Sequence, residues 1–85
     1  MKPRDIEDAV FELEQVRIVI RAGSREDLED FNFQRKAAGN SSITEWLETR
    51  ILPIVNGNEV VVINGRGEIP HGRTRMQNLR DSYAV

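Results

Sequence analysis

One segment constrains this chain more than any other: Val60-Val61-Val62-Ile63, an unbroken β-branched run set between Asn56-Gly57 and Asn64-Gly65. β-Branched side chains crowd the preceding turn of a helix and pack well on a pleated surface. Asn-Gly on either side supplies turns. A continuous apolar run between turns is the pattern of a strand buried on both faces, so Glu59–Ile63 is expected to be central in a sheet.

The remaining elements are placed around that strand. Pro3 suits the first turn of a helix, with Ile6, Ala9, Val10 and Leu13 on one face. Val16, Ile18 and Ile20 alternate with Arg17, Val19 and Arg21, which predicts a strand over roughly residues 11–22 and leaves the helix before it short or absent. Ser24 followed by Asp27 reads as the start of a helix of two turns. Phe31 to Lys36 alternates at period two, so a further strand is expected with Phe31 and Phe33 facing inward. Ser42-Ile43-Thr44-Glu45 is a capping box that opens a helix over residues 43–52, ended by Pro53, with Ile43, Trp46 and Leu47 on its apolar stripe. Thr74 and Gln77 form a similar pair ahead of Met76, Leu79 and Tyr83, which share one face of a last helix. No internal repeat stands out. These elements predict one small α+β domain over residues 1–85, a three-stranded sheet packed against two or three helices around a single layer of core.

Composition then excludes whole classes of function. The 85 residues contain no cysteine and one histidine. Disulfide staples, thiolate metal sites and cysteine nucleophiles are therefore ruled out, as is any site that needs two imidazoles. A core of this size leaves little room for an enclosed active site. The chain shows neither a signal-peptide pattern nor an apolar run of membrane-spanning length, so a cytoplasmic protein without a membrane partner is expected. The net charge is -2 but unevenly spread: residues 1–32 carry five basic and nine acidic side chains, residues 33–85 seven basic and five acidic. The first part is acidic and the second mildly basic.

Candidate functional residues gather in the glycine-rich loop after the apolar strand. Gly67-Glu68-Ile69-Pro70-His71-Gly72-Arg73-Thr74 approaches the phosphate-cradling pattern G-x-x-x-x-G-K-[ST]. Arg73 stands where the lysine would be, and Pro70 removes an N–H from the cradle. Gly65-Arg66-Gly67 also fails as a dinucleotide fingerprint, because Pro70 takes the place of its third glycine. Arg66, His71, Arg73, Arg75 and Arg80 form a basic cluster, and arginines at a helix N-terminus oppose the macrodipole unless an anion is near. Surface arginines also commonly meet a carboxylate of their own chain, and the acidic N-terminal segment offers many. His71 has no serine or aspartate at triad spacing, and no carboxylate cluster marks a metal site.

The expected function is that of a small non-enzymatic interaction or regulatory domain, of the kind a phage or mobile element carries as an accessory protein. It has no catalytic set, no cofactor and no metal. Its partner-binding residues are Arg66, His71, Arg73, Arg75 and Arg80, and the partner is an acidic protein surface. The alternative is a nucleic-acid backbone met by the same loop and the last helix. Exposed strand edges on a small core predict a homodimer.

Overall fold

A computed structural model describes residues 1–84. The element order is helix α1 (Pro3–Glu14), strand β1 (Arg17–Arg21), helix α2 (Ile43–Trp46) running on through a π turn (Leu47–Ile51) and a 3-10 turn (Leu52–Ile54), strand β2 (Glu59–Ile63) and helix α3 (Met76–Asp81). The class is mixed α and β, with β1 and β2 antiparallel and Val19 opposite Val61. Val16, Ile18, Ile20, Trp46, Val62 and Leu79 share one buried cluster, with Leu47 and Val60 packed against it. No helix among the described residues is long and apolar enough to cross a membrane.

Among the described residues the sheet has two strands, where three are expected from the sequence. The Phe31–Lys36 alternation does not pair because its backbone is used elsewhere. The Ala37 N–H donates to the Glu14 carboxylate and the Arg35 carbonyl accepts from Arg50. Phe31 is buried, whereas Phe33 remains 40% exposed, tilted against the Phe31 ring and covered by the Arg50 guanidinium at 4.4 Å. With that strand absent, β2 is an edge strand, and Val61 and Ile63 are only half-buried.

Two further expectations change. The first helix extends to Glu14 and the strand begins at Arg17, because the buried helical series is Pro3, Ile6, Val10 and Glu14, and Gln15 turns the chain in the left-handed region. Phe11, on the outer face of this longer helix, is 44% exposed with the Arg17 guanidinium 4.5 Å from its ring. No helix follows Ser24: Lys2 Nζ donates to the Arg25 carbonyl and to Asp27, and the terminal amine donates to the Leu28 carbonyl and Asp30. Residues 24–30 are thus bound to the chain start and, through Glu26 and Glu29, to Asn58 and Ile54, rather than to one another. The same Lys2 contact holds the Asp27 carboxyl below the usual aspartate range.

The starts of α2 and α3 cap one another. Ile43 and Thr44 donate their N–H groups to the carbonyls of Thr74 and Gly72, while Met76 and Gln77 donate theirs to Ser41 and Gly39. Ser42 and Arg75 face each other across an isolated antiparallel bridge at the centre. Two orphan donors of each first turn are thereby satisfied by backbone carbonyls just ahead of the other helix. Ser42 Oγ adds a cap by accepting from the Glu45 N–H at 3.1 Å.

Candidate functional site

The loop Asn64–Thr74 is built in two halves. In the first, Asn64 Oδ1 accepts from the N–H groups of Arg66 and Glu68, both at 2.9 Å, and its backbone N–H donates to the Glu68 carbonyl. Gly67, at φ 78, closes this turn. Gly65 passes so near α3 that a Cβ there would fall 1.8 Å from the Ser82 carbonyl oxygen, and its N–H donates to Ser82 Oγ. In the second half, Thr74 N–H donates to the His71 carbonyl and Arg73 N–H to His71 Nδ1 at 3.0 Å, which leaves Nε2 facing outward. Both ends of the loop are therefore anchored, one to α3 and one to the start of α2.

The loop is not a phosphate cradle. The N–H groups of Gly67, Arg73, Thr74, Met76 and Gln77 all donate within the chain. The last helix starts at Met76, one residue later than the Thr74 cap implies, because Arg75 occupies the capping position and the Gln77 side chain donates to Asp81 instead of reaching back. Its first turn has no free pair of donors for an anion, so the basic residues beside it cannot be explained by that helix end.

The structure separates the five basic candidates. Arg66, His71 and Arg73 lie exposed on the loop, and no side-chain hydrogen bond or ion pair engages the Arg66 or Arg73 guanidinium among the described residues. Arg75 is exposed and its Nη1 donates to the Asn40 carbonyl at 3.3 Å. Arg80 is placed in the interior, where Nη2 meets Glu14 Oε1 at 2.9 Å and Nε donates to the Glu14 carbonyl.

That interior cluster is the feature that sequence reasoning missed. Glu14 is fully buried, and its two carboxylate oxygens accept from the Ala37 N–H, Trp46 Nε1, Arg50 Nη1 and Arg80 Nη2 at 2.8–2.9 Å. The signal that could have found it is the series Ile6, Val10, Glu14 at intervals of four, which sets an acid on the core stripe of α1. Every buried polar side-chain atom is paired among the described residues, so the cluster reads as architecture rather than as a poised reactive group. Among the described residues no group of three His, Asp or Glu side chains is arranged to hold a metal ion.

In comparisons with protein-family models, with curated proteins and with solved structures, nothing matches the chain.

Proposed function

We propose that the protein is a small, non-enzymatic interaction module of the cytoplasm that presents the loop Asn64–Thr74 to an acidic protein surface. The observation that carries this reading is the state of Arg66 and Arg73: two guanidinium groups without partners among the described residues, on a loop whose backbone is anchored at both ends. Anchoring lowers the ordering cost of binding. Arginine forks suit bidentate contact with carboxylates. His71 Nε2 and Arg75 extend the donor surface, whereas Arg80 is committed inside. An overall charge of -2 gives the chain no long-range attraction to a densely charged phosphate backbone, so the loop's short-range bidentate contacts carry the recognition.

The test is a fluorescence titration with a labelled poly-glutamate peptide, and in parallel with duplex and single-stranded oligonucleotides, over a salt series. Peptide binding should weaken on the order of tenfold or more in Arg66→Glu with Arg73→Glu, about 1.4 kcal/mol or more. Equal binding by that variant would overturn the reading. Tighter, steeply salt-dependent oligonucleotide binding lost in the same variant would replace it with nucleic-acid recognition.

A further inference from the structure

We propose that the acidic surface this loop meets is a groove on a second copy of the same chain; the inference rests on the reading of the loop as a binding surface. The groove, of about 590 Å³, lies between α1 and the outer face of the sheet. Phe11, Val19 and Ile63 supply its apolar lining, and Glu7, Asp8 and Glu12 its acidic wall. Phe11 is 44% and Val19 38% exposed, so the apolar lining faces water. Contiguous exposed apolar surface rimmed by charge marks an interaction site.

The loop is complementary to this groove in each respect. Ile69 is its apolar tip, 72% exposed, the most exposed large apolar residue among those described. Arg66 and Arg73 flank that tip with the charge the acidic wall lacks. The minority charges match as well: Glu68 is the loop's one acid, and Arg17 is the one base lining the groove. Ile63 lines the groove and Asn64 opens the loop, so the two patches adjoin at one end of the sheet. A two-fold axis there seats each loop in the other copy's groove and closes the assembly as a dimer.

Pairing through the outer edge of β1 is the competing route to a dimer, and that edge is guarded. The Ile20 N–H donates to Glu7 Oε2 at 2.8 Å. Antiparallel self-pairing about Val19 would also set Arg17 against Arg21 of the second copy, and like charges directly opposite destabilise a sheet.

Sedimentation equilibrium at about 100 µM, where micromolar association is saturated, should give twice the 9.7 kDa chain mass. Ile69→Asp should shift the population to monomer while the thermal melt of the fold is kept, since Ile69 packs against nothing inside. Reversing the groove (Asp8→Lys with Glu12→Lys) or the loop (Arg66→Glu with Arg73→Glu) should each weaken association at least tenfold. An equimolar mixture of the two reversed chains should restore a dimer, because both contacts in the mixed pair are then complementary. A wild-type monomer at that concentration, a dimer unaffected by Ile69→Asp, or a mixture that stays monomeric would each overturn the inference. If any of these accompanies loss of poly-glutamate binding on loop reversal, the second-copy inference falls and the acidic-partner reading stands. If poly-glutamate binding survives loop reversal, that reading falls and the inference with it.

Discussion

Glu14 and Arg80 lie sixty-six positions apart in the chain and 2.9 Å apart in the interior, where they join the end of the first helix to the last. Arg50 reaches the other oxygen of the same carboxylate at 2.9 Å, and the Trp46 indole N–H donates to that oxygen as well. The side chains of Arg80 and Arg50 are 10% and 19% exposed and that of Glu14 is 0% exposed. Burying such charges is costly, and only complete pairing offsets the cost. Glu14 therefore holds together α1, the segment at Ala37, the helix of Trp46 and Arg50, and α3.

Glu14→Ala should destabilise the fold by about 3–5 kcal/mol, because two buried guanidinium groups lose their counter-charge. Urea unfolding followed by Trp46 fluorescence measures it. Glu14→Leu tests the cause: if it is equally destabilising despite filling the space, lost pairing and not a cavity explains the effect. A Glu14→Ala midpoint within error of wild type would refute the assignment.

Trp46 contributes to the same point through its ring and its N–H. It is 1% exposed, so Trp46→Ala should cost on the order of 3–5 kcal/mol, as large-to-small core changes do. Trp46→Phe retains most of the apolar area but leaves Glu14 one donor short, and should cost about 1–3 kcal/mol. Circular dichroism melts of both variants check the order.

Tyr83 gives the fold a dependence on alkaline pH. Its hydroxyl accepts from the Arg17 N–H at 3.0 Å and donates to the Ile63 carbonyl, bridging the open end of the β1–β2 ladder. Burial is the main cause that raises its pKa above the usual tyrosine value, with the Arg17 N–H acting the other way. A raised folded-state pKa means that the neutral phenol is the form the fold prefers. Its contribution is complete below the unfolded-state value of about 10 and is lost as pH rises through the folded value. Stability should therefore fall as pH rises above the unfolded-state value of about 10 in the wild type, and fall less in Tyr83→Phe. Parallel pH titrations of the unfolding midpoint decide this, and identical slopes would exclude the bridge.

The parts of the fold legible in the sequence are those with local causes. Ser42 and Glu45 sit together at the start of a helix, Val60–Ile63 is a β-branched strand between turns, and Met76 and Leu79 share the buried face of α3, with Tyr83 packed against the core from the turn after it. Only the place of Glu14 on the core stripe of α1 was legible; its role was not, because its partners come from three distant stretches of chain, the segment at Ala37, the helix of Trp46 and Arg50, and α3. Phe31 and Phe33 were misleading for the opposite reason: their period-two spacing arises with Phe33 tilted against Phe31 beneath Arg50, and no ladder forms. Of the basic cluster, sequence located the loop that carries Arg66, His71 and Arg73. It did not separate Arg80, because nothing local distinguishes an arginine that turns inward to a buried acid.

The mutual capping of α2 and α3 makes the last prediction. Gly39 and Gly72 hold matching places, each three residues before the Ser42–Arg75 bridge partner of its own strand, and each supplies a carbonyl to the opposite helix. A Cβ on Gly72 would fall 2.3 Å from Thr44 Oγ1, and one on Gly39 would fall 3.0 Å from Gln77 Oε1. Gln77 Oε1 ends a long, exposed side chain that can swing away, and Gln77 Cβ, 3.1 Å from the added group, has to give by only a few tenths of an ångström, whereas Thr44 Oγ1 is fixed one bond from its Cβ on a helical turn. Gly72→Ala should therefore cost more than Gly39→Ala, about 1–3 kcal/mol against less than about 1. Gly23→Ala is the control: nothing lies within 4 Å of its would-be Cβ, so the substitution should be neutral or slightly stabilising through the unfolded chain. Thr44→Ser keeps the hydroxyl but frees its rotation, and combining it with Gly72→Ala should recover part of the loss. Equilibrium unfolding of the four variants tests the ranking, and a Gly72→Ala protein as stable as Gly23→Ala would show that the two helix starts are not held this close.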